Sequence, residues 1–136
     1  MMKVLQPPGW AAPRGYVNGV MVSGAQIFVA GQIGWNAQCQ FESDDLVVQV
    51  RQALLNVRAV LAEAGATPQH ITRMTWYLVD KQAYLQRAKE IGAAYREVIG
   101  SYTVAMTAVQ VVALIEDRAQ VEIEVTAVLP DAAAAP

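Results

Sequence analysis

The stretch Val104–Leu129 constrains this chain more than any other. Its second part, Gln120–Leu129, alternates with a period of two. Val121, Ile123, Val125, Ala127 and Leu129 point one way, and Glu122, Glu124, Thr126 and Val128 the other, which is the signature of a strand. Val104–Val112 reads as a second strand, with Met106 and Gln110 on one face and Thr107, Val109 and Val111 on the other. Joined by the short segment Ala113–Ala119, the two are expected to pair as an antiparallel hairpin. Such a hairpin has a mostly apolar surface with Glu122 at its margin.

The rest of the chain supplies what packs against it. Residues 1–15 hold Pro7, Pro8, Gly9, Pro13 and Gly15, so an extended, irregular arm is expected, held to the body by Trp10. Tyr16–Val22 and Gln26–Ala30 flank Ser23-Gly24-Ala25, a hairpin signal. Ser43-Asp44-Asp45 starts a helix with a capping hydroxyl and carboxylates at the positive end of the dipole. Leu46, Val50, Ala53, Leu54, Val57, Val60, Leu61 and Ala64 form its buried stripe, and Gly65 ends it. Ile71–Val79 is a strand with Thr72, Met74, Trp76 and Leu78 on one face and Arg73, Thr75, Tyr77 and Val79 on the other. Asp80 caps a second helix, buried through Tyr84, Leu85, Ala88, Ile91, Tyr95, Val98 and Ile99 and stopped by Gly100. The tail from 130 to 136 has little to bury and is expected to fray.

The order is β-β-α-β-α-β-β, an α+β fold in a single domain spanning 1–136. It implies a mixed six-stranded sheet with two helices on one face. The other face carries many apolar side chains, and nothing is left in the chain to cover it, so a second subunit is expected there. Composition agrees, since 54% of the residues are hydrophobic and only 16% charged. No run of about 18 apolar residues is present, so no membrane partner is expected. The N-terminus lacks the apolar core of a signal peptide, and a single cysteine suits a reducing compartment, so the expected location is cytoplasmic. A net charge of −2 and the absence of a basic run argue against nucleic acid as a partner. With one Cys and one His, a Cys/His zinc site within one chain is excluded.

Several short motifs stand in a fixed order: Tyr16-Val17-Asn18-Gly19, Gly31-Gln32-Ile33, Gln52-x-x-x-Asn56 with Leu61-x-x-Ala64-Gly65, and Val121-Glu122-Ile123-Glu124 followed by Thr126-Ala127. Over Tyr16–Val128 the chain resembles the RidA/YjgF family of enamine/imine deaminases. That resemblance implies a chorismate-mutase-like fold and a homotrimer with small-molecule clefts between subunits. It implies that Glu122 positions an attacking water and that Tyr16 and Gly31 line the cleft, with no cofactor or metal, because the imine carbon is already electrophilic. Where the family has Pro-Ala-Arg, whose Arg holds a substrate carboxylate, this chain has Val104-Ala105-Met106. A thioether makes no charge-assisted bond to a carboxylate, so a less acidic or more apolar ligand is expected, with Met106 as a pocket wall. Arg14, two residues before Tyr16, is a candidate to replace the missing guanidinium. Ile115 stands where the family usually has proline, and Gly92 where some members have Asn. A non-catalytic binding trimer is the alternative on the same scaffold.

The remaining candidates read as structural. Glu124 reads as solvated, His70 as a surface turn residue and Cys39 as an inert loop thiol. Trp35 and Trp76 fit core and cleft wall equally well.

Overall fold

The computed structural model describes residues 2–100 and 103–131. The tail expected to fray from 130 lies outside the described residues beyond Asp131. Six strands form, as expected, but not in one sheet. Short strands β1 (Lys3–Val4) and β2 (Val20–Met21) make an antiparallel ribbon. The main sheet has β3 (Gly24–Ile33), β4 (Ile71–Leu78), β5 (Ala105–Gln110) and β6 (Val121–Pro130) in the order β3-β6-β4-β5. Between the strands run α1 (Leu46–Glu63), a turn of 3₁₀ helix at Pro68–His70, α2 (Lys81–Gln86) and α3 (Ala88–Val98).

The expected C-terminal hairpin is therefore corrected. β5 runs parallel to β4, and β6 inserts between β3 and β4, antiparallel to both. The reason lies in burial and connectivity. A strand–helix–strand unit returns parallel to its start, and α2 and α3 make β4 and β5 such a unit. β6 buries Val121, Ile123, Val125 and Ala127, and a strand that apolar gains most from the centre. β5 is exposed along most of its length and takes the edge.

The N-terminal hairpin is corrected too. β2 pairs with the arm and β3 with β6, so the arm is partly ordered rather than irregular. Leu5 donates its N–H to the Gly19 carbonyl, and Asn18 Nδ2 donates to Gln6 Oε1. Trp10 does not pin the arm down, because it is 62% exposed. Gly24, instead of turning a hairpin, crosses so close to the Leu129 backbone that any Cβ would collide with it.

Helix α1 keeps its stripe: Leu46, Val50, Ala53, Leu54, Val57 and Leu61 are buried, while Val60 and Ala64 fall outside it. The cap is Asp45, whose Oδ2 accepts from the Val48 N–H. Ser43 stands one step back, its hydroxyl accepting from the Asp45 N–H. Gly65, at φ 70°, ends the helix in the left-handed region as expected. The second helix is broken in two at Arg87, whose guanidinium binds Asp45 and Glu90 at 2.9 and 2.8 Å. Asp80 caps its first half, and Leu85, expected in the stripe, is exposed.

α1 and α3 lie on one face of the sheet, over a core of Trp76, Leu54, Leu61, Ile71, Met74 and Ile123. Among the described residues nothing covers the other face, as expected, but it is mixed rather than mostly apolar. Phe28 (74% exposed) and Val109 share it with Arg73, Thr75, Tyr77 and Glu124. One buried polar residue ties the layers together. Gln49, on α1, is fully buried; its Nε2 donates to the Ser43 and Arg118 carbonyls, and its Oε1 accepts from the Gln120 N–H.

Replacing Gln49 by Leu strands those three backbone groups away from water. Urea unfolding is expected to show a loss of about 2–4 kcal/mol. The Arg87 guanidinium, followed by the Val48 N–H, holds the Asp45 carboxyl below its ordinary range. A carboxylate with a lowered folded pKa stabilises above its unfolded pKa and loses that effect as pH falls through the folded value. Asp45→Asn is therefore expected to flatten the decline in stability below about pH 4, as read by denaturation across pH 2–7. The change is modest because the Asp45 side chain is 39% exposed and the pair is screened.

Candidate functional site

The five residues singled out in the sequence fall into two groups. The first gathers at the free edge of β5. There Val17 bridges to Ala105 in parallel and donates its N–H to the Val104 carbonyl at 3.0 Å, so the arm extends the sheet by one more segment. This brings Arg14 and Tyr16 beside Met106. Met106 pairs with buried Met74 and shares its face, so it points toward the helix layer.

A cavity of about 410 Å³ opens at this point. Arg14, Gly15, Tyr16 and Met106 form one side, and β4 and β5 add Trp76 and Ala108. The helices close it with Tyr84, Ala88, Ile91, Gly92 and Tyr95. Trp76 meets Tyr84 edge-on and Tyr95 at a tilt, each with ring centroids 6.3 Å apart. Burial pushes the Tyr84 hydroxyl above its ordinary pKa. Trp76 is thus both core and wall, and its indole N–H is buried without a hydrogen-bond partner among the described residues.

A shallower hollow of about 330 Å³ shares Tyr16 and Met106 and adds Asn18, Thr107 and Arg73. Arg73 was not singled out in the sequence. The signal was available, since it lies on the polar face of β4, and β4 turns out to put it opposite Ala105. Neither Arg14 nor Arg73 has an ion pair among the described residues.

The second group is Gly31 and Glu122. The β3–β6 register slips between Val29 and Gln32, a bulge that carries Gly31 out over β6. The Glu122 side chain lies against it, in the space where a Cβ would sit. Around them is a hollow of about 190 Å³ with Ile33, Trp35, Ile115 and Glu116, so Trp35 is a wall of this site. Asn56 holds the segment in place: its Nδ2 donates to the carbonyls of Ile33 and Trp35, and its Oδ1 accepts from Gln52. The Gln52-x-x-x-Asn56 motif thus serves the backbone that follows Gly31.

One chain does not join the two groups. Met106 pairs with Met74 and Met74 with Val125, so Glu122 is two strands across and three residues along from Met106. That is about 10 Å in each direction, with the side chains on opposite faces.

The other candidates are structural where they were expected to be. The His70 Nδ1 accepts from the Thr67 N–H, within the 3₁₀ turn. Cys39 is exposed in a loop, and Glu124 is exposed with only a 3.4 Å contact from the Tyr77 hydroxyl.

A sheet covered on one side, with metabolite-sized hollows at its edge and end, defines the class. The chain belongs to the Rid (RidA/YjgF) family, whose profile, described as Endoribonuclease L-PSP, matches residues 9–129. It is similar to a RutC family protein of Aquifex aeolicus, 33% identical over 129 residues, covering 93% of this chain and 99% of the relative. Another RutC family protein, from Synechocystis, is 32% identical over 131 residues, covering 95% and 98%. Among solved structures, the Rid family protein YyfB of Yersinia pestis superposes with a TM-score of 0.83 at 32% identity, covering 94% of this chain and 98% of its own. TdcF of E. coli, determined with bound serine, gives 0.68 at 30% identity, covering 93% and 98%.

Proposed function

We propose that this chain forms a homotrimer whose seams bind a small metabolite and hydrolyse an enamine or imine there. The observation that carries this reading is the split of the site. Tyr16 and Met106 lie at one edge of the sheet, and Glu122 with Gly31 lies at another end on the opposite face. A second copy that sets its Glu122 against the first copy's Tyr16 and Met106 completes a cleft; one copy alone does not. The uncovered sheet face, with Phe28 74% exposed and Ile115 96% exposed, is the surface such an assembly would bury. TdcF, a relative whose structure holds serine, supports a small metabolite as the ligand.

The chemistry needs only protein groups. Glu122 takes a proton from water as its oxygen bonds to the imine carbon, then returns the proton to nitrogen. The carbinolamine collapses to a carbonyl compound and releases ammonia. Gly31 leaves the space in which the carboxylate lies and puts bare backbone beside it. Met106 stands where the family has its carboxylate-binding Arg. Each hydrogen bond to a charged group contributes about 1.5–3 kcal/mol, so imines of ordinary α-amino acids are held weakly. Arg14, which has no ion pair among the described residues, supplies a cation at the mouth for an anionic group set further from the reacting carbon.

Light scattering on the purified protein is expected to give the mass of three chains; a monomer would overturn this reading. Wild-type protein is expected to hydrolyse imines of common α-amino acids poorly, and Met106→Arg to raise that activity at least tenfold. Glu122→Gln is expected to cut hydrolysis of any accepted imine by about two orders of magnitude, within the range for general acid–base groups. If no activity responds to Glu122→Gln, the seams bind without catalysing. Gly31→Ala is expected to lower activity at least tenfold with little change in Tm, because the displaced group is the mobile end of Glu122.

A further inference from the structure

We propose that the cavity behind Tyr16 and Met106 binds a flat, uncharged ring carrying a hydrogen-bond acceptor. The ligand would then be an aryl or similarly planar conjugated compound, its ring inside and its reacting end at the mouth. This rests on the reading of Tyr16 and Met106 as one wall of the ligand cleft.

The hollow exists because side chains are missing from it. Ala88 and Gly92 stand one turn apart on α3, and Ala108 faces them from β5, so three small residues line a volume that larger ones would fill. A glycine inside a helix weakens the helix, and what it provides here is room. Trp76 and its two tyrosine neighbours form flat walls, and ring systems pack on one another in the tilted and edge-on geometries these side chains already adopt. Size agrees: about 410 Å³ is between two and three times the roughly 150 Å³ that encloses a benzene, enough for one or two rings.

Polarity sets the rest. Among the described residues no Asp, Glu, Lys or His lines the cavity, and its one charged residue, Arg14, comes from the exposed arm. The part of the ligand that enters must be uncharged. Trp76 is 2% exposed, and its Nε1–H has no acceptor among the described residues. A buried donor of this kind calls for a partner, and a carbonyl, ether or ring nitrogen on the ligand would provide one once the side chains that cover the indole N–H give way.

The test uses the full-length protein with benzamide, acetamide and toluene as probes, their binding read by ligand-observed NMR. Benzamide is expected to bind at least tenfold more tightly than acetamide. Gly92→Leu, which fills the void with a better helix former, is expected to weaken benzamide at least tenfold without loss of helical circular dichroism. The wild-type protein is expected to prefer benzamide to toluene and Trp76→Phe to remove that preference; a preference that survives in Trp76→Phe overturns the acceptor part of the proposal. Equal binding of benzamide and acetamide, or unchanged benzamide binding by a folded Gly92→Leu protein, overturns the proposal. Hydrolysis is followed in parallel to separate the two readings. An enzyme that turns over small aliphatic imines but ignores rings refutes the ring pocket and leaves the deaminase reading standing. Ring binding sensitive to Gly92→Leu, without hydrolysis, supports the pocket and refutes the enzyme.

Discussion

The structure depends on β6, the strand that joins β3 to the β4–β5 pair. β6 satisfies its backbone against β3 on one side and β4 on the other while burying Val121, Ile123, Val125 and Ala127 under the helices. Without it the sheet would fall into two pieces, β3 and the β4–β5 pair, with no strand ladder between them. Gln49 reinforces the same joint from above, binding the first backbone N–H that leads into β6. A buried amide is tolerated there because its carbonyl and N–H₂ groups meet backbone partners on both sides.

What the sequence revealed was faces, and what it hid was partners. The alternation of Gln120–Leu129 identified the buried and open sides of β6, and the stripe on α1 and the cap at Asp80 were equally legible. Periodicity carries no information about which strand lies next to which, so the hairpin inferred from proximity in sequence gave way to a crossover. The break at Arg87 was hidden for a different reason. Apolar spacing continues through it, and the interruption comes with a guanidinium held by carboxylates from two other turns.

The candidate site was legible in its members but not in its arrangement. Glu122, Gly31, Tyr16, Met106 and Arg14 could each be named from motif and position. That they sort into a pair at the β3 bulge and a trio at the β5 edge follows only from strand order. The aromatic cavity was hardest to foresee, because it is defined by what Ala88, Gly92 and Ala108 lack. Gly92 was visible as a departure from the family pattern; the space it leaves needed the fold. Arg73 was passed over because a charge on the open face of a strand is usually just solvated.

The bridge from Val17 to Ala105 has a second effect besides bringing Tyr16 to its place. β5 is a border strand, and unpaired borders recruit foreign strands into growing sheets. By seating one backbone N–H on that border, the N-terminal segment blocks such recruitment where β5 begins. A protease that clipped the chain just ahead of Val17 would remove the Tyr16 wall of the hollow and loosen its own border guard. Lost ligand binding and aggregation would then arise from a single cut.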